Sequence, residues 1–310
     1  MSYVLDAGNE NSKVIHITST DATSRLSSDG AYLKYDLESP IVTPTDQDTL
    51  VSLYSAVIPY SFYNIRQGVN DKIYYRLTSN HTQVFLTIPQ GSYTIQSLKD
   101  LVNLHSSSGT TNDLTVGFDR VTMKFTFTIS SAEFYFDFND TTDGAHTALG
   151  FPLNHTGLST GFTSIESDYV PDVNGSTHSI NIRTNLVSKG CIDSQTKSFS
   201  TILGTIPIDV NFGGVLFFRP ADAIHKIVIT SKDIKNIVIR LTDDRDRLLD
   251  LNGLSFNITL LIDHIKHRRN TERRIPERIF RPPVKIETRG RPRKDKVERT
   301  KKDIDIPLIN

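Results

Sequence analysis

Val121-Thr122-Met123-Lys124-Phe125-Thr126-Phe127-Thr128-Ile129 alternates apolar and polar residues without a break. Successive side chains of an extended strand point to opposite faces. Val121, Met123, Phe125, Phe127 and Ile129 therefore share one face, and Thr122, Lys124, Thr126 and Thr128 the other. The stretch predicts a sheet with one dry and one wet side. Working outward, similar segments recur at short intervals: Lys13–Ser19, Tyr32–Leu37, Leu50–Pro59, Lys72–Thr78 and Gln83–Ile88 before it, and Glu133–Phe138, His178–Leu186, Thr201–Ile208, His225–Thr230, Ile234–Leu241 and Ser255–Asp263 after it. Gly, Pro, Asn and Asp clusters separate them, as strand boundaries require. Parallel strands need a crossover of about a dozen residues, usually a helix. The chain offers almost none, so antiparallel pairing and a mainly β class are expected.

One segment departs from the pattern. In Thr94–His105, Ile95, Leu98, Leu101 and Val102 recur at helical spacing, and Thr94 stands where an N-cap belongs. This helix and the strands on to Phe138 make a small α+β block, read as an insertion at 83–152 in a larger sandwich. Leu153–Ser176 is rich in Gly, Ser, Thr and Asn and is expected to be a long exposed loop. Beyond His264 no apolar periodicity supports a core. Residues 266–310 read as an extended basic tail, with Ile304, Ile306 and Leu308 alternating at its end as a candidate docking strand.

The composition, 310 residues with 37% hydrophobic and 23% charged, is that of a globular chain able to bury a core. The single Cys191 excludes an intrachain disulfide and a cysteine-based zinc site. There is no run of 18 apolar residues and no basic leader with an apolar segment behind it, so neither a membrane span nor secretion by that route is expected. The net charge of zero hides an asymmetry. Lys266 to Asp305 holds 16 Lys and Arg against 7 acidic residues, leaving 19 against 28 in the body. A basic tail on an acidic body points to a polyanionic partner for the tail.

The sharpest motif lies there: Arg289-Gly290-Arg291-Pro292-Arg293-Lys294, which resembles an AT-hook. Glycine lets the backbone approach a groove floor and proline keeps it extended. The arginines then reach into the strong negative potential of a narrow A·T minor groove. The same run also suits generic polyanion contact, a nuclear-import address or a merely solvated end.

Signals for catalysis are weak. Gly157-Leu158-Ser159-Thr160-Gly161 spells G-x-S-x-G, yet a nucleophile elbow needs a strand before the serine and a helix after it, and neither flank supplies one. Asp137–Gly144 spaces oxygen ligands like a calcium loop, but the twelfth position counted from Asn139 is Gly150, not a bidentate glutamate. His264 and His267 lack a third metal ligand other than Asp263. No catalytic residue, cofactor or metal is assigned.

Four stretches carry a family resemblance: Ile58-Pro59-Tyr60-Ser61-Phe62-Tyr63-Asn64-Ile65, Ile88-Pro89-Gln90-Gly91-Ser92-Tyr93-Thr94, Leu149-Gly150-Phe151 and Leu251-Asn252-Gly253. With the overall arrangement they resemble the penton, or vertex, protein of virophages such as Sputnik and of related polinton-type viruses. The resemblance implies a single jelly-roll β-sandwich with an inserted small α+β domain. Its parts would be an N-terminal arm (1–12), a first jelly-roll part (13–82), the insertion (83–152), a second jelly-roll part (153–265) and the basic tail (266–310). It implies a non-enzymatic virion protein, a homopentamer at the capsid vertex that meets a major capsid protein and is made in host cytoplasm or a virus factory. The hook is no part of that pattern, and packaged double-stranded DNA is its separate expected partner. A minor capsid protein elsewhere in the shell and a receptor- or carbohydrate-binding jelly roll are the alternatives. Tyr60–Tyr63 is a candidate contact patch or, by burial, core.

Overall fold

The computed structural model describes residues 12–266, except 80, 82, 107–112, 140, 154–161, 175–176, 188–191, 195–196 and 221–225. The chain divides into two units, Met1–His267 and Arg268–Asn310. The second unit lies outside the described residues, and with it the hook Arg289–Lys294, His267 and the terminal alternation. Ser159 and its motif lie outside them too.

Two five-stranded sheets form the main body. One has the order β1 (Ser12–Thr18), β18 (Asn257–Lys266), β4 (Gln47–Pro59) and β15 (Val215–Phe218), with the short β16 (Ile227–Val228) also pairing with β4. The other runs β14 (Ile202–Pro207), β11 (Ser179–Thr184), β17 (Asp233–Thr242), β3 (Tyr32–Val42) and β2 (Ser24–Arg25). Every strand pair is antiparallel, as expected. Setting aside β2 and β16, the eight remaining strands taken in chain order stack as first-eighth-third-sixth in one sheet and second-seventh-fourth-fifth in the other. That connectivity, two interleaved Greek keys, is a jelly roll.

The sandwich core is aliphatic. Leu33, Ile58, Ile182, Ile237, Ile239, Leu260 and Ile262 from both inner faces are buried together. β-branched side chains suit this site because they are stiff at χ1 and pack against a pleated surface. β18 and β4 pair over ten residues with a bulge between Thr259 and Leu260. The extra residue, Tyr54, is on β4, so the inward side chains of β4 shift from Ile58 and Ala56 to Leu53 and Val51, while Ile258, Leu260 and Ile262 alternate regularly on β18.

Between β4 and β11 the chain builds a second core. Two three-stranded sheets lie there: β6 (Gln83–Thr87), β5 (Lys72–Leu77), β9 (Phe134–Phe136), and β10 (Ser164–Glu166), β8 (Lys124–Ile129), β7 (Leu114–Asp119). A further hairpin, β12 (Ile192–Asp193) with β13 (Ser198–Phe199), follows β11. The predicted helix is α1 (Ile95–Ser106), and Thr94 caps it as expected, its hydroxyl accepting the Ser97 N–H at 3.2 Å. Leu98 and Val102 are buried from it. Asn103 anchors it to β7 by donating to the Val116 carbonyl at 3.0 Å and accepting the Val116 N–H at 2.7 Å. This core is aromatic: Phe127 meets Phe136 edge-on at 4.9 Å between ring centroids, and Phe125, Phe134 and Phe138 are fully buried around them. Burying each such side chain is worth about 1.5–3 kcal/mol, with edge-to-face geometry adding to it.

The structure differs from the sequence reading in several places. The alternating stretch is a strand only from Lys124, so Phe125, Phe127 and Ile129 are buried as predicted, but Val121 is 91% exposed. Residues 120–123 turn the β7–β8 hairpin, and Met123 takes a positive φ of 56° there. An unbroken alternation holds no signal for a turn when two of the turn residues, Val121 and Met123, continue the apolar series. The second core also recruits residues on both sides of 83–152: Ile65, Ile73 and Tyr75 before it, Val173 after it. Finally, the described part of the expected exposed loop at 153–176 contains β10, and Ser167 and Val173 are buried. A short α2 (His146–Leu149) ends at Gly150, whose φ of +83° makes it a left-handed cap.

Candidate functional surfaces

The residues that hinted at chemistry are occupied structurally. Asp137 accepts Arg76 Nε at 2.6 Å. Asp143 pairs with Lys72 at 2.7 Å and accepts the Tyr74 hydroxyl at 2.8 Å. The cost of burying Asp143 is outweighed by Lys72 and Tyr74, which hold its carboxyl below the ordinary carboxylate range. His264 is buried and shares a 2.9 Å hydrogen bond with Thr49, and burial keeps its imidazole below the usual value. Among the described residues no cluster of His, Cys, Asp or Glu could hold a metal ion, and no helix is long and apolar enough to cross a membrane.

The first, second and fourth signature stretches meet at the joint between the two cores, while Leu149-Gly150-Phe151 lies in the second core. Ser61 donates to the Leu251 carbonyl at 2.7 Å, and Asn252 donates back to the Ser61 carbonyl at 2.5 Å. Ile65 and Gly91 exchange backbone hydrogen bonds at 3.1 and 3.0 Å. Gly150 takes the N–H of Tyr169 at 2.9 Å. The joint is tied further by Arg66, which donates to Asp243 at 2.6 Å and to the Leu248 carbonyl at 3.2 Å. Arg247 donates to the same carboxylate at 2.7 Å. These partners outweigh the desolvation of Asp243 and hold its carboxyl below the ordinary range.

Tyr60 and Phe62 are buried, in keeping with the core reading of that patch, while Tyr63 lies at the rim and stacks on Phe212. Among the described residues, one exposed apolar surface that the sequence did not single out is β15. It is an edge strand, antiparallel to β4, and its Val215 and Phe217 point outward with 56% and 70% of their surface in water. Phe212 stands beside it, 44% exposed. A strand was not expected at 215–218, because Val-Leu-Phe-Phe is short and flanked by Gly214 and Pro220. An alternation of exposed and buried side chains over four residues is recognisable only once β4 is beside it.

These features define a single jelly-roll protein with a second core inserted between its third and fourth strands. No protein-family model matches the chain, and no curated protein matches it. Among solved structures the chain is similar to the crystal structure of the selenomethionine-labelled mavirus penton protein, at 13% identity and a TM-score of 0.44, covering 82% of this chain and 100% of that one.

Proposed function

We propose that this chain is a structural virion protein that closes the fivefold vertices of an icosahedral capsid, and that it works by assembly and not by turnover. The observation that carries the reading is the outward-facing pair Val215 and Phe217 on an edge strand of a rigid jelly roll. An exposed apolar strand edge is an aggregation hazard unless another chain covers it. A second copy of this chain is the occupant that a ring of identical subunits supplies. Five copies about one axis meet through a heterologous contact, in which one patch touches a different patch on the next subunit and the rotation closes. The four sequence stretches resembling virophage and polinton-type pentons support the same reading. The basic tail then faces packaged DNA, with Arg289, Arg291 and Arg293 as its minor-groove contacts, and the body meets the major capsid protein.

Native mass measurement and negative-stain imaging test this, on the chain alone and mixed with the major capsid protein of the same particle. Rings of five are expected in at least one condition. A chain that stays monomeric in both overturns the assignment.

A further inference from the structure

β15 offers a neighbour its backbone as well as its side chains. Among the described residues it pairs with β4 alone, Val215 to Phe218 lying opposite Pro59 to Ala56. The Tyr60 N–H donates to the Gly214 carbonyl at 2.9 Å, which makes these two a hydrogen-bonded pair. Such pairs alternate along an antiparallel ladder. Leu216 and Phe218 therefore turn their main-chain groups toward β4, and Val215 and Phe217 turn theirs toward the open edge. Pro59, which has no N–H to give β15, stands opposite Val215, where none is needed. The edge thus presents two N–H donors and two carbonyl acceptors, on the same residues whose side chains are exposed. A strand added there is held by main-chain bonds, and its alternate side chains meet Val215 and Phe217.

Residues 1–11 precede β1 and lie outside the described residues, and their sequence holds a β-prone stretch as long as β15, Ser2-Tyr3-Val4-Leu5. Set antiparallel with Leu5 opposite Val215 and Tyr3 opposite Phe217, it brings Val4 beside the buried Leu216 and Ser2 beside Phe218. Tyr3 and Phe217 then make a cross-strand aromatic pair. Asp6 to Asn11, mostly polar, remains as a tether.

Reach decides which copy supplies the strand. Ser12 lies opposite Asp263 and Asp263 opposite Leu50, whereas Val215 lies opposite Pro59. The line from Ser12 to a residue paired outside Val215 therefore crosses the whole sheet and runs from the level of Leu50 to that of Pro59. At about 3.3 Å per residue and about 4.8 Å per strand this is roughly 33 Å. The tether from Leu5 to Ser12 extends to about 25 Å at most. A chain cannot fill its own edge this way, but a second copy can.

We infer that Ser2–Leu5 of one copy adds as an antiparallel strand to the open edge of β15 in the next. This exchange rests on the ring reading above and supplies the second of the two patches that a heterologous contact requires.

Negative stain, thermal unfolding and oxidative cross-linking of the chain test it, with and without the major capsid protein. Deleting residues 1–8 is expected to reduce rings of five at least about tenfold and to leave the unfolding temperature of the monomer unchanged. Leu5→Pro, which removes an N–H aimed at Val215, is expected to weaken rings likewise, whereas Val4→Pro, whose N–H faces away, keeps them. In a Cys191→Ser background, mixed Leu5→Cys and Val215→Cys chains are expected to form a disulfide-linked pair, since such partners stand about 5.5 Å apart at Cα; neither chain does so alone. Rings that persist without residues 1–8, with no linked pair, overturn the exchange and leave the ring reading standing. If a chain ending at Lys302 loses rings instead, the occupant is the alternation at Ile304, Ile306 and Leu308. Wild type that forms no rings in either condition overturns both readings. A lower unfolding temperature for the shortened monomer places the segment on its own chain and overturns the exchange.

Discussion

The Asn64 side chain closes a two-pronged clasp on the backbone of Tyr93, donating to its carbonyl at 2.7 Å and accepting its N–H at 2.9 Å. The amide mimics a strand neighbour at a point where the chain between β4 and β5 passes the start of α1. Asn64 is buried, so water does not replace either bond. Truncation in Asn64→Ala leaves a buried donor and a buried acceptor unpaired. Denaturant unfolding is expected to show a loss of about 1–3 kcal/mol, and a loss below half a kilocalorie would mean that the clasp contributes nothing net.

Gly150 ends α2 at a φ of +83°, where an added Cβ would stand 2.3 Å from the Tyr169 carbonyl oxygen. Gly253 has a similar φ of +78° with nothing within 4 Å of such a Cβ. Both Gly→Ala changes carry the left-handed backbone cost of about 1–2 kcal/mol. Gly150→Ala adds overpacking and is expected to exceed Gly253→Ala by about 1–3 kcal/mol in the same unfolding assay. Equal costs would show that the Tyr169 segment yields freely.

Asp243 is buried and accepts four donors, two of them from Arg66 and Arg247 side chains. Its folded pKa lies below the ordinary carboxylate value of about 4. The stability it contributes is therefore present above that ordinary value and is lost as pH falls through the depressed one. Unfolding midpoints followed down from neutral pH should drop in acid, and the Asp243→Asn chain should drop less steeply from a starting point lower by about 3–5 kcal/mol, the usual cost of stranding buried charged partners. Parallel pH profiles in the two chains would remove Asp243 as the cause.

Phe217 is 70% exposed on β15, so the isolated chain has little to lose at that position. Phe217→Ser should leave the unfolding temperature of the monomer nearly unchanged, within about 0.5 kcal/mol. It should also abolish or sharply weaken rings of five in negative stain. Rings that form as readily as in wild type would move the subunit contact elsewhere.

All the buried hydrophobic residues described lie between Ile17 and Ile262. Deleting Arg273 onward should accordingly preserve the unfolding temperature. The corresponding peptide, Thr288 to Lys302, should prefer A·T-rich to G·C-rich duplex at physiological salt. Equal affinity for the two would leave only counterion release as its mode of binding.

What the residues determined unaided was local. Period-two alternation placed Phe125, Phe127 and Ile129 on a dry face, Thr94 and its apolar followers specified α1, and the scarcity of helix forced antiparallel pairing. The separation of charge into an acidic body and a basic tail was also plain. Tertiary structure alone decided the strand order of the jelly roll and the extension of the second core to Ile65 and Val173. It also decided the turn at Val121 and the exposure of Phe217 beside a buried Leu216. It alone brought Arg66 and Arg247 onto the one Asp243 carboxylate. The reason is physical. Alternation and capping depend on neighbours a few residues away, whereas strand partners, sheet edges and the direction a charge faces depend on contacts between residues a hundred or more positions apart, such as Arg66 with Asp243 and β1 with β18.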